Sequence, residues 1–256
     1  MSQAAARSRA VDVEAGAGNA VTSVGASATV RNSTHASWLN PADLRVGILG
    51  GTFDPIHYGH LVIAEQVRQA LRLDRVVFVP APRPPHKLGD ELAPAADRAA
   101  MVALAIADNP AFAWSEIELE REGASYTSDT LAELADEAVR QGVARDLYFI
   151  LSAEALAGLP KWHEPVQLLE SATLAVVSRP GWPLPDASHL AASLPGGAAS
   201  AARVQCIETV PVANSSSDVR ARAAAGLSIR YLVPPAVEAY IRDHRQYRSE
   251  NSGRNA

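Results

Sequence analysis

Arg45-Val46-Gly47-Ile48-Leu49-Gly50-Gly51-Thr52-Phe53-Asp54-Pro55-Ile56-His57-Tyr58-Gly59-His60 is the stretch from which the fold is read. Its first six residues form a short β-rich run, a buried strand ending in a glycine turn, and a helix-length segment follows from about His60 to Leu71. Working outward, Arg75-Val76-Val77-Phe78-Val79-Pro80 reads as a second strand, followed by a loop through Pro82, Pro84, Pro85, His86 and Lys87. Pro94 suits the first turn of a helix running to about Asp108, where its missing N–H costs nothing. Later strands are expected near 113–119, 146–151, 173–178 and 204–210, with helices near 128–141, 153–159, 217–225 and 235–243. The Ala, Pro and Gly of 181–203 read as a surface excursion with one short helix. Strands alternating with helices imply an α/β, Rossmann-like, doubly wound parallel sheet covered on both faces. Such sheets bind ligands at the carboxyl ends of their strands, where the glycine turn lies.

The 256-residue chain is 48% apolar and 20% charged, the balance of a soluble globular protein. A net charge of -5 argues against a general nucleic-acid binder, which needs a basic surface, whereas a small anionic substrate needs only a few placed cations. The single cysteine, Cys206, has no partner for an internal disulfide, and no apolar run approaches a membrane span, so a cytoplasmic location and no membrane partner are expected. Arg7 and Arg9 give the start some transit-peptide character, which Asp12 and Glu14 oppose. Residues 1–43 lack a sustained apolar period and read as a disordered leader, 44–245 as a single catalytic domain and 246–256 as a polar tail.

Two glycines let a ligand approach the backbone, and the helix beginning near His60 points unpaired N–H groups and a positive dipole at it. His57 and His60 can then face one phosphate, although both can equally serve as loop and helix caps. The turn is neither a dinucleotide fingerprint nor a P-loop. Hydride transfer would also need an acidic ribose ligand further on, and Glu65 and Asp74 do not sit convincingly at a strand end. A second anion site is expected where Ser215-Ser216-Ser217-Asp218-Val219-Arg220 opens a short helix, with serine as cap and Arg220 one turn inside. The alternative there is a capped helix with a solvated arginine.

The HxGH turn resembles that of the nucleotidylyltransferase superfamily, and the ordered set of motifs resembles bacterial nicotinate-mononucleotide adenylyltransferases. The set spans about 45–245: GGTFDPIHYGH at 50–60, FVPAPRPPHK at 78–87, DRAAMVALAIADNP at 97–110, SYTSDTL at 125–131, LPKWHEP at 159–165, SRPG at 178–181, SSSDVR at 215–220 and YLVPPAV at 231–237. The resemblance implies transfer of the adenylyl group of ATP to nicotinic acid mononucleotide, giving deamido-NAD and pyrophosphate, with Mg2+ arriving on the nucleotide and no dedicated protein metal site. It implies ATP-binding roles for Gly50, Gly51, Thr52, Phe53, His57, His60, Ser216, Ser217 and Arg220, with His57, His60, Arg220 and Lys87 catalytic. Tyr126, Thr127, Ser152, Glu154, Trp162 and Arg179 fall to the acceptor by the same resemblance: backbone N–H groups at Tyr126 and Thr127 for the pyridine carboxylate, Trp162 for the ring, Arg179 for the phosphate. Trp162 as a core aromatic, Lys87 as a solvated lysine and Tyr126 and Thr127 as a simple helix entry are the plainer alternatives, and Asp97 with Arg98 either touch substrate or form a helix-surface pair.

Three positions depart from the family pattern. Gly-Ala-Asp or Gly-Gln-Asp is usual where this chain has Ser152-Ala153-Glu154, so Ser152 adds bulk and Glu154 a methylene, and Asn214 replaces a usual isoleucine. Another nucleotidylyltransferase, using phosphopantetheine or nicotinamide mononucleotide, is the alternative enzyme, and a non-catalytic nucleotide-binding regulator the alternative of another class. The oligomeric state, with a homo-oligomer among the options, is not legible.

Overall fold

The computed structural model describes residues 42–82, 92–178 and 181–248. Its centre is a six-stranded sheet of β1 (Arg45–Gly51), β2 (Arg75–Pro80), β3 (Phe112–Trp114), β4 (Asp146–Ser152), β5 (Thr173–Val177) and β6 (Val204–Ile207). Their order is β3-β2-β1-β4-β5-β6, and every pairing is parallel. The order reverses between β1 and β4, so helices leave in opposite directions there and open a crevice at the strands' carboxyl ends.

Alternation along each strand feeds two cores, because successive side chains point to opposite faces. Val76 and Phe78, Tyr148 and Ile150, and Ala175 and Val177 join one cluster, whereas Val77 and Val79, Phe149 and Leu151, and Leu174 and Val176 join the other. The first face is covered by α1 (Tyr58–Ala70), α2 (Ala95–Ile106), α8 (Ser216–Ala224) and α9 (Pro235–Asp243), through residues such as Val67, Met101, Val219 and Ile241. The second is covered by α3 (Thr127–Arg140), α4 (Ala153–Gly158), α5 (Pro165–Ser171) and α6 (Ala187–Ser193), through Leu131, Leu156, Leu168 and Leu190. Fully burying one such leucine or isoleucine stabilises the fold by roughly 1.5–3 kcal/mol, so the two faces carry it.

Several expected boundaries shift. Pro94 is the cap of α2 rather than a residue of its first turn. The strand expected over 113–119 stops at Trp114, after which Leu119 and Glu120 donate N–H groups back to the Glu116 carbonyl in a tight turn. Helix α5, with Pro165 in its first turn, was not anticipated, and 187–201 holds two short helices, α6 and α7 (Ala198–Ala201). At the ends, Asp43 is buried and ion-paired with Arg75, and its carbonyl accepts from Arg145. Gln246 and Tyr247, read as tail, donate to Asp97 and Asp54. The remainder of the expected leader, 1–41, and of the tail, 249–256, lies outside the described residues. Among the described residues no helix is long and apolar enough to cross a membrane.

Candidate active site

Helix α1 opens with a reciprocal cap. The Gly59 N–H donates to His57 Nδ1 at 3.1 Å, and the His57 N–H donates to His60 Nδ1 at 3.2 Å. A nitrogen that accepts carries a lone pair, so in each neutral imidazole the proton sits on Nε2. The capping alternative and the ligand alternative are therefore compatible, since the cap uses Nδ1 of each ring and does not use Nε2. The rings stack with centroids 3.8 Å apart, and both line a cavity of about 310 Å³. Gly59 is required between them, since a Cβ there would lie 2.8 Å from the His57 ring. Phe53 supports His60 from below, 2% exposed with its ring edge-on at 5.0 Å, and it holds a left-handed φ of 48° that its packing must stabilise.

The second expected anion turn is brought onto the first. Ser215 caps α8 by accepting the Asp218 N–H, Ser216 Oγ donates to the Pro55 carbonyl at 2.9 Å, and Arg220 Nη1 donates to the Asp54 carbonyl at 2.7 Å. Ser217 Oγ accepts from Arg220 Nη2 at 3.4 Å. Arg220 is thus no solvated surface arginine: it spans the two turns.

A larger cavity, about 410 Å³, opens on the other side of the switch and shares Gly50, Phe149 and Trp162 with the first. Gly51, Thr52, Tyr126 and Thr127 line it, at the start of α3. That helix has no side-chain cap, and so its first N–H groups remain for something else. Ser128 Oγ, fully buried in the first turn, has no hydrogen-bond partner among the described residues. Trp162 stands edge-on to Phe149 at 6.1 Å, and Tyr126 stacks on His163 at 4.2 Å. Glu164, next along, is left-handed at φ 45°.

Ser152, expected at the acceptor, instead lines the histidine cavity and caps α4 through the Ala155 N–H. Its φ of -78° is open to any residue, so serine in place of the family glycine costs no backbone strain. Glu154 is exposed in the first turn of α4 and lines neither cavity. Asn214 donates from Nδ2 to the Leu232 carbonyl at 2.8 Å, which also accepts from Tyr58, and so ties the α8 approach to the start of α1. Lys87 and Arg179 lie outside the described residues.

Four further residues carry weight around the two cavities. Arg98 is 1% exposed rather than a helix-surface partner of Asp97, and it donates to the carbonyls of Thr52, Ala81, Pro82 and Ala93, bracing the glycine turn against the end of β2. Burial pushes its pKa down, with Asp54 opposing. Glu118 lines the α3 cavity and accepts from Thr130 at 2.9 Å, and burial raises its pKa. His163 lay inside the quoted LPKWHEP motif, and Asp54 inside GTFDP. The acids weighed for hydride transfer serve the scaffold: Glu65 is held to about 2 chiefly by its hydrogen bonds from Arg68, and Asp74 accepts the N–H groups of Leu44 and Arg45.

Residues 48–222 match the cytidylyltransferase-like family model. A relative from Roseiflexus sp. (strain RS-1), named "Probable nicotinate-nucleotide adenylyltransferase", is 51% identical over 79% of this chain and 98% of its own. One from Symbiobacterium thermophilum of the same name is 46% identical over 82% of this chain and 98% of its own. Among solved structures, the Plasmodium falciparum nicotinic acid mononucleotide adenylyltransferase complexed with NaAD shares the fold, with a TM-score of 0.64 at 18% identity over 80% of this chain and 97% of that one.

Proposed function

The chain belongs to the nicotinate-nucleotide adenylyltransferase family, and from that premise we infer that it transfers the adenylyl group of ATP to nicotinic acid mononucleotide, releasing pyrophosphate and giving deamido-NAD. The observation that carries the reading is the paired cavity at the β1/β4 switch, one half lined by two histidines and the other by an uncapped helix start, with Gly50, Phe149 and Trp162 common to both.

The 5′-phosphate oxygen of the mononucleotide attacks the α-phosphorus of ATP in line as the bond to the pyrophosphate oxygen breaks. No protein nucleophile is needed, so the residues position reactants and stabilise charge. His57 and His60 donate Nε2–H to phosphate oxygens, the backbone at Gly50 and Gly51 allows close approach, and Arg220 beside Ser216 and Ser217 holds the pyrophosphate end. Lys87 is assigned to the same phosphates and Arg179 to the acceptor phosphate. At the other half, Thr127 and its neighbours offer backbone N–H groups to the pyridine carboxylate and Trp162 its ring.

A Mg2+ arriving with ATP would be held mainly by the nucleotide and water, with few protein ligands. Bound there, it would supply charge neutralisation to the phosphates. A cytoplasmic enzyme acting on these two nucleotides, without nucleic acid, completes the proposal. The test is pyrophosphate release with ATP and Mg2+ against nicotinic acid mononucleotide, nicotinamide mononucleotide and phosphopantetheine. Turnover fastest with the first supports the reading; ATP binding without release for any acceptor overturns it.

A further inference from the structure

The role given to Arg220 depends on what else competes for its guanidinium, and the inference below rests on that role. Asp54, 1% exposed, is the competitor. Its Oδ2 lies 3.7 Å from Arg220 Nη1 and has no hydrogen-bond donor among the described residues. Its Oδ1 accepts from the Tyr247 phenol at 2.7 Å and the Ala93 N–H at 3.2 Å. Arg220 meanwhile donates to the backbone carbonyl of Asp54 rather than to its carboxylate.

A buried carboxylate with an unsatisfied oxygen gains strongly by closing on a neighbouring guanidinium as a bidentate pair. That closure would take from Arg220 the donors a phosphate needs. The two bonds to Oδ1 hold the carboxylate back, and only one of them comes from a side chain. We propose that Tyr247 is a positioning residue for adenylyl transfer, whose phenol restrains Asp54 so that Arg220 keeps its fork for the leaving pyrophosphate. Burial and the Asp54 charge push the phenol pKa far above its ordinary value, so it remains a donor throughout the working pH range. Its segment is anchored independently, by Tyr240 to Asp97 at 2.8 Å and by Gln246 to Asp97 at 2.7 Å.

Tyr240 therefore supplies the control. Tyr247→Phe and Tyr240→Phe each delete one phenol-to-carboxylate hydrogen bond at the same end of the chain, but only the first touches Asp54. In pyrophosphate release with ATP, nicotinic acid mononucleotide and Mg2+, Tyr247→Phe is expected to lower kcat about tenfold, the scale of a sub-ångström misplacement, while Tyr240→Phe leaves it unchanged. Thermal midpoints should fall alike. Calorimetric binding of pyrophosphate should weaken in Tyr247→Phe alone, which reads the effect without turnover. Made in an Arg220→Ala background, Tyr247→Phe should have no further effect. Equal kcat for the two Phe variants, or effects of Tyr247→Phe and Arg220→Ala that simply multiply, would overturn the proposal. Normal turnover in Arg220→Ala would instead remove the arginine from the site, a distinguishable failure that takes the proposal with it.

Discussion

The starts of α1 and α3 face one crevice from either side of the sheet's switch point, yet they treat their backbone donors in opposite ways. At α1 the His57 and His60 side chains accept the N–H groups of Gly59 and His57 at the helix entry. At α3 the Tyr126 cap makes no such bond, and the amides themselves are left to bind. Side-chain donors at the end of a rigid ring suit a tetrahedral phosphate that changes charge during reaction. Fixed amides suit a planar carboxylate that only has to be recognised. On the proposed function, two chemistries, reaction and selection, fall to two helix ends.

Breaking the first end should cost most. His60→Ala and Arg220→Ala are each expected to lower kcat by about 10²–10³, the scale for losing one preorganised charge-stabilising donor, with pyrophosphate release as the measurement. The His60 change also removes a cap bond of about 1 kcal/mol, visible as a small fall in thermal midpoint. Near-normal turnover in either variant would remove that residue from the mechanism.

Next in size is the α3 end. Nicotinamide mononucleotide turns an amide NH₂ toward donors it cannot satisfy, at about 1–3 kcal/mol, so kcat/KM should favour the acid by roughly tenfold to a hundredfold. Trp162→Ala should weaken both acceptors while keeping their ratio, since stacking depends on the ring more than on its substituent. Equal use of both acceptors by the wild type would sink the selectivity and leave adenylyl transfer standing.

A smaller effect is expected from Ser152→Gly with Glu154→Asp, restoring the family pattern. Ser152 sits in the histidine cavity, so any gain of a few-fold should appear in kcat or KM for ATP rather than in acceptor choice. Loss of its cap to glycine should lower stability by only about a few tenths of a kcal/mol. Unchanged kinetics would show both residues accommodated.

The smallest concerns Glu118 beside the α3 cavity, which burial holds above the ordinary carboxylate range. Its protonated form is favoured in the fold, so its contribution to stability declines as pH rises from the unfolded value through the raised folded one. Glu118→Gln should therefore melt higher than wild type above that window and gain nothing below it, and a pH series of thermal midpoints reads the difference.

Local pattern served wherever the deciding contacts are local. The run from Val46 to Leu49, the serine cluster at 215–217 and the period-2 alternation of β2 and β4 each declare an element because one face or one turn dictates the residues. Ala113 to Leu119 alternates equally well, yet the chain leaves the sheet after Trp114 and turns on the Glu116 carbonyl, carrying Glu118 to the cavity wall. Asp97-Arg98 looks like any exposed helical pair, and what buries Arg98 are carbonyls from Thr52, Ala81 and Pro82, on other elements. Ser152, given to the acceptor by a linear resemblance, stands at the end of β4, where the crevice divides that strand between two cavities. Nothing near Tyr247 signals its partner.

That last distance has a temporal side. Pro55 meets Ser216, and Asp54 meets Arg220 and Tyr247, across separations of 161, 166 and 193 residues. During synthesis the glycine turn and its histidines emerge early, and the residues that complete the phosphate end emerge among the last of the described chain. Closing so long a loop costs only about 0.6 kcal/mol more per doubling of length, so equilibrium stability scarcely registers the separation, but contacts of this order slow folding. The contacts that join the glycine turn to α8 and to Tyr247 therefore wait for most of the described chain to be made.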